Sequence, residues 1–144
     1  MYRSGKRLCT LENVKKNFEQ IQNILFTIGS YLACDPSKEI KMKLPNFEPK
    51  HILFLENEID KMNETLPALK NFILPSGNII ASHCHVARCV CRRAERICIA
   101  IKNNKEKIDE LILQYLNRLS DYLFITARYL LHQANGTETI WDRQ

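Results

Sequence analysis

No stretch of this 144-residue chain reaches the roughly 18 consecutive apolar residues of a membrane-spanning helix, so no membrane span is expected. The basic opening Met1-Tyr2-Arg3-Ser4-Gly5-Lys6-Arg7 is not followed by an apolar signal core, and the chain reads as cytoplasmic. There is no internal repeat, no low-complexity segment and no strand-like alternation, which argues against sheet-based and solenoid architectures. The Walker glycine loop and the dinucleotide-binding fingerprint are both missing. If a nucleotide binds, it binds by other means.

What is present fits one globular domain spanning 1–144, with residues 1–10 and 135–144 expected to be flexible. Apolar residues make up 45% and charged residues 26%, as in ordinary globular chains. The net charge of +5 is mild, but Arg88, Arg92, Arg93 and Arg96 crowd into nine residues. Such a local cluster favours a phosphate-bearing partner over general affinity for nucleic acid. The six cysteines (Cys9, Cys34, Cys84, Cys89, Cys91 and Cys98) read as free thiols. His83, Cys84, His85, Cys89 and Cys91 offer a tempting metal set. On a helix, however, Cys89 and Cys91 project about 200° apart, so no metal site is assigned.

Four segments carry helical periodicity. The first has its stripe at Leu11, Val14, Phe18, Ile21, Leu25, Ile28 and Leu32, with Thr10 as a weak capping candidate and Asp35-Pro36-Ser37 as its stop. The second starts at Pro49, which suits a first helical turn, and carries Ile52, Leu55, Ile59, Met62, Leu66 and Leu69. Pro67 ends or kinks it near Leu66. Phe72-Ile73-Leu74-Pro75-Ser76-Gly77 reads as a tight connection. The third helix spans about 78–102, with Ile80, His83, Ala87, Val90, Ala94, Ile97 and Ile101 expected to face the core. Its small Ala87 and Ala94 would admit a neighbour. The fourth spans about 105–132, with Ile108, Ile112, Leu116, Leu119, Leu123, Thr126 and Leu130, and stops at Asn135-Gly136. Amphipathic helices of this kind are stable only when packed together, so the fold class is all-α, an antiparallel helical bundle.

Two polar sets occupy helix faces. Arg88, Arg92 and either Glu95 or Arg96 share a side of the third helix. Alone, they read first as a solvated charged face and second as a phosphate site. Asn117, Asp121 and Arg128 share a side of the fourth. Asn117 in mid-helix breaks local preference, which fits a buried interhelical hydrogen bond or a ligand contact equally well. Arginine offers a fork of donors for phosphate oxygens, and asparagine a donor and an acceptor for ribose or base.

Three ordered blocks then carry a resemblance. They are Phe72-Ile73-Leu74-Pro75-Ser76-Gly77; His85-Val86-Ala87-Arg88 with Cys91-Arg92-Arg93-Ala94-Glu95-Arg96; and Tyr115-Leu116-Asn117-Arg118-Leu119-Ser120-Asp121-Tyr122-Leu123-Phe124. With Ile21-Gln22-Asn23-Ile24-Leu25-Phe26-Thr27-Ile28-Gly29, they resemble PduO-type ATP:cob(I)alamin adenosyltransferases over roughly residues 15–132. The resemblance implies a homotrimer of helical bundles with sites between subunits. The reaction it implies moves the 5′-deoxyadenosyl group of ATP to cob(I)alamin and releases triphosphate, with Mg2+ on the phosphates. It also implies delivery of the product to an adenosylcobalamin-dependent enzyme. Carried over by position, Arg92, Arg93, Glu95, Arg96 and Asn117 match the ATP-contacting residues. Arg88 matches an interface salt bridge near ATP, and Phe72 the aromatic that closes the lower face of the corrin.

The family's Thr-Gly-Asp-x-Gly-x-Thr loop and Val-Asp-Glu-Leu-Asn helix do not occur here, and the chain shows four of the family's five helices. The expectation is an ATP site without much of its phosphate cradle, an Arg88 without its acidic partner, and apolar faces left exposed. The alternative reading is a truncated or degenerate, non-catalytic bundle that binds a corrinoid or a partner.

Overall fold

The computed structural model describes residues 11–35, 38, 43–104 and 107–143. It holds four helices among those residues: α1 (Leu11–Ala33), α2 (Pro49–Asn63), α3 (Ile79–Asn103) and α4 (Glu110–Gln133). None is long and apolar enough to cross a membrane. Thr10, Cys9, Pro36, Ser37 and the expected start of the fourth helix at residue 105 lie outside the described residues.

The starts have local causes. Pro49 opens α2 after Glu48, whose backbone N–H donates to His51 Nδ1 at 3.1 Å. Asn78 Oδ1 accepts from the Ala81 N–H at 2.8 Å and starts α3. α4 begins five residues later than expected because Asp109, rather than residue 105, caps it through Leu111 N–H at 2.9 Å. α2 stops at Asn63, ahead of Pro67.

The stop of α4 is more specific than a flexible glycine. Asn135 takes the left-handed conformation (φ 54°), its N–H donates to the His132 carbonyl at 3.0 Å, and the Gly136 N–H reaches back to the Leu131 carbonyl at 2.9 Å. Gly136 is needed for space instead, since a Cβ there would stand 2.2 Å from Leu131 Cδ1. Gly77, at φ 123°, presses on the same leucine from the start of α3.

α4 is the central element. It packs against α2 and α3 and is buried almost all round between Tyr115 and Leu131. Contacts set the directions. Glu56 meets Arg118 and Met62 meets Thr126, so α2 and α4 run the same way. Glu95 meets Asn117, while His85 meets Phe124, so α3 opposes them. Asn17 donates to the buried Glu58 at 2.7 Å and Tyr31 reaches the Pro45 carbonyl, which turns α1 against α2. The helices therefore alternate up and down, as an antiparallel bundle requires.

Three expected stripes are corrected. On α3 the core face is Ala81, Cys84, Cys91 and Cys98, with His85 beside them. Ile80, His83, Ala87, Val90 and Ile97 are exposed, and Ala94 and Ile101 half-buried. The cause is size. Cys84, Cys91 and Cys98, seven residues apart along one line, with Ala81 one turn before them, let α4 come close, whereas β-branched side chains would hold it off. On α1 the burial belongs to Val14, Asn17, Ile21 and Ile28, while Leu11, Leu25 and Leu32 are exposed. On α2, Leu69 lies past the helix end and is exposed.

The chain end is also ordered by partners rather than loose. Leu74 N–H donates to the Thr139 carbonyl and Trp141 N–H to the Phe72 carbonyl, both at 2.8 Å, around an antiparallel bridge between Ile73 and Ile140. Arg128, 4% exposed, anchors this junction: Nε donates to Glu138 Oε1 at 2.6 Å and Nη2 to the Pro67 carbonyl at 3.0 Å. Replacing it removes a buried side chain and leaves the half-buried Glu138 carboxylate and the Pro67 carbonyl without this donor. Arg128→Ala is expected to lower unfolding free energy by about 2–4 kcal/mol, measured by urea denaturation. A loss under about 0.5 kcal/mol would show that the latch contributes little.

Candidate functional site

The tight α3/α4 seam sets which polar groups meet. Cys91 lies on it, with Sγ 3.2 Å from the Leu116 carbonyl. Burial, then the Glu95 carboxylate, pushes its thiol up to about 12, with Arg92 pulling the other way. One turn further along α3, Glu95 Oε1 accepts from Asn117 Nδ2 at 3.0 Å. The mid-helix asparagine thus makes an interhelical bond and, half-buried, still borders open space.

That space is a cleft of about 540 Å3 between α2, α3 and α4, with Glu95, Asn117, Ile99, Gln114, Lys102 and Arg118 among its walls. Its cations are already engaged. Lys102 pairs with Glu110, and Arg118 with Asp121 at 3.2 Å and Glu56 at 3.6 Å. The cluster arginines are not: among the described residues no ion pair engages Arg92, Arg93 or Arg96, and all three are exposed. Arg92 stands three residues before Glu95, on the same side of α3, and Arg96 is four beyond Arg92. Arg93 is two residues from Glu95 and projects about 200° away, so one chain does not bring it to the Glu95–Asn117 pair.

Midway along the seam lies a second group. Arg88 spreads over the Phe124 ring at 5.4 Å, while its buried Nε has no acceptor among the described residues. His85, 4% exposed, meets the edge of Phe124, and its Nδ1 is likewise without a partner. These are two orphaned polar atoms in a half-open setting.

Phe72 lies at the other end. α3 rises roughly 24 Å between Ile79 and Glu95, so one chain holds Phe72 well away from Asn117. Phe72 is 71% exposed and meets the Trp141 ring edge-on, with centroids 6.0 Å apart. One further expectation is corrected. Arg128 and Asp121 do not join Asn117 as one polar face, because Arg128 turns into the chain-end latch and Asp121 pairs with Arg118. The residues His83, Cys84, His85, Cys89 and Cys91, to which no metal site was assigned, stay apart. They point to different sides of α3, and His83 Nδ1 lies 2.7 Å from the Ile79 carbonyl. No three His, Cys, Asp or Glu side chains among the described residues form a metal cage. Sequence reasoning passed over His85 as a buried group and Trp141 as a neighbour of Phe72. The first carried no periodic signal, and the second depends on a pairing some seventy residues apart in the chain.

A family model for cobalamin adenosyltransferases matches residues 2–130. The corrinoid adenosyltransferase MMAB of Homo sapiens is 42% identical over 128 residues, 88% of this chain and 51% of that protein. The corrinoid adenosyltransferase of Bacillus subtilis is 42% identical over 133 residues, 92% of this chain and 66% of that protein. The chain therefore spans about half the length of the mammalian relatives it matches. Among solved structures, a variant PduO-type ATP:corrinoid adenosyltransferase from Lactobacillus reuteri, complexed with cobalamin and ATP, aligns with a TM-score of 0.80. The identity is 32%, over 99% of this chain and 75% of that one.

Burial, and then the charge of Arg88, hold the His85 pKa below its ordinary value. The unfolded chain therefore takes up this proton before the folded chain does. The stability tied to neutral His85 is complete above about pH 6.5 and is lost as pH falls through the lower folded-state value. Melting temperatures measured from about pH 8 to pH 5 are expected to fall less for His85→Gln than for the parent. Equal slopes would contradict a buried neutral imidazole.

Proposed function

The chain belongs to the cobalamin adenosyltransferase family, and on that premise we propose that it transfers the 5′-deoxyadenosyl group of ATP to cob(I)alamin. The products are adenosylcobalamin and triphosphate. The observation that carries this reading is the Glu95–Asn117 pair on the wall of an open cleft, with the unengaged guanidinium of Arg92 on the same side of α3. Cobalt(I) supplies the electron pair that forms the bond to the ribose 5′ carbon. The C5′–O bond breaks, and its electrons leave with the triphosphate. No protein acid or base is needed, so the residues work by placing the two reactants in line and stabilising the charge of the leaving group.

Arg92, Arg93 and Arg96 hold phosphate oxygens, while Glu95 and Asn117 orient the nucleoside. Phe72 lies against the lower face of the corrin and keeps water from the cobalt. Mg2+ fits as an ion carried by the nucleotide, because such ions keep most of their waters and need only one or two carboxylates, and Glu56, Glu95 and Glu110 line the cleft. Its role is to offset phosphate charge.

The active form is a cytoplasmic homotrimer. Three features support a second subunit at the site. Phe72 and Asn117 stand far apart in one chain, and Arg93 turns away from Glu95. The orphaned Arg88 Nε fits an acceptor from a neighbouring copy. The product passes to an adenosylcobalamin-dependent enzyme.

Adenosylcobalamin formation from ATP and cob(I)alamin, followed by absorbance under reducing conditions, tests the assignment. Arg92→Ala and Asn117→Ala are each expected to cut turnover by about a hundredfold with the fold retained. Unchanged turnover in both would remove these residues from the site. Corrinoid binding without any turnover by the parent would replace transfer with the non-catalytic reading.

A further inference from the structure

We propose that Trp141 is a second corrinoid-contacting residue, forming with Phe72 a two-sided aromatic corner against the ring. The proposal rests on the assignment of Phe72 above and extends it to the chain end.

The corner is built by register. The bridge between Ile73 and Ile140 makes Phe72 and Trp141 directly opposed, so both side chains emerge on the same face of the pairing. A slip of one residue would send Trp141 to the opposite face. Three interactions hold the register: the two 2.8 Å backbone bonds and the half-buried Arg128–Glu138 pair just upstream. The rings meet at 73°, which leaves each with a free surface: Phe72 is 71% exposed and Trp141 47%. Such a rigid pair of large apolar groups left open to water is costly unless something covers it.

A corrin ring suits this corner. It is a broad, conjugated, largely apolar plate with amide groups at its rim. Phe72 offers one wall and the indole another at a steep angle. The Arg143 guanidinium, 5.2 Å from the Trp141 ring, brings donors to the same edge, where rim carbonyls would accept.

Binding of cob(II)alamin in the presence of ATP, measured anaerobically by calorimetry on the full chain, tests the proposal. Trp141→Ala is expected to weaken cob(II)alamin about tenfold and to leave ATP affinity within about twofold, with Trp141→Phe recovering most of the loss. If Phe72→Ala weakens cob(II)alamin and Trp141→Ala does not, the Phe72 assignment stands and the Trp141 proposal is overturned. If neither does, both fall. A reading independent of any variant comes from the parent, in which Trp141 is the single tryptophan. Its Stern–Volmer constant for acrylamide is expected to fall when cob(II)alamin saturates the protein, and an unchanged constant would overturn the proposal.

Discussion

The close approach of α3 to α4 is the constraint on which the rest of the structure depends. Ala81, Cys84, Cys91 and Cys98 give α3 one narrow face along which a second helix can lie near its backbone. Cys91 then reaches the Leu116 carbonyl, a contact that larger side chains would prevent. Once that register is set, the polar encounters follow. Glu95 faces Asn117, Arg88 covers Phe124, and His85 is enclosed. The thiols act here through their small volume. Burial raises Cys84, Cys91 and Cys98, which keeps them protonated and unreactive.

The seam also explains why charge is distributed as it is. Carboxylates neutralise the cations inside the cleft, whereas among the described residues the exposed Arg92, Arg93 and Arg96 of the same helix stay without ionic partners. Guanidinium groups held on a rigid helix and left unpaired are ready for an incoming polyanion at little reorganisation cost. At the far end of the same helices, Arg128 does the opposite. It is spent entirely on structure, tying Pro67 and Glu138 together so that the α2–α3 connection and the chain end present Phe72 and Trp141 side by side. Arg128 thus differs from the three cluster arginines because it is enclosed and they are exposed.

Much of this was legible in the residues. The 3.6-residue periodicity located four helices, and Pro49 and Asn78 marked two starts. The signature blocks singled out Glu95 and Asn117, which the fold joins. The face of α3 was not legible. Its isoleucines and valines make the stronger apolar stripe, but packing distance selected the weaker stripe of alanine and cysteine. Periodicity measures hydrophobicity and is blind to how near a partner helix must come. The role of Arg128 was hidden for a similar reason. Spacing alone placed it on a line with Asn117, and only the path of the chain after Asn135 shows that its partner is Glu138. The pairing of residue 72 with residue 141 left no local trace either.

The central claim is that Glu95 and Asn117 act on the nucleotide as one unit across the α3/α4 seam. The most direct measurement is a double-mutant cycle on ATP affinity, using Glu95→Ala, Asn117→Ala and the double variant in calorimetric titrations. The account predicts a coupling energy of about 1 kcal/mol or more, with the double variant little weaker than the worse single one. Strictly additive losses, or ATP affinities that none of the three variants changes, would contradict it.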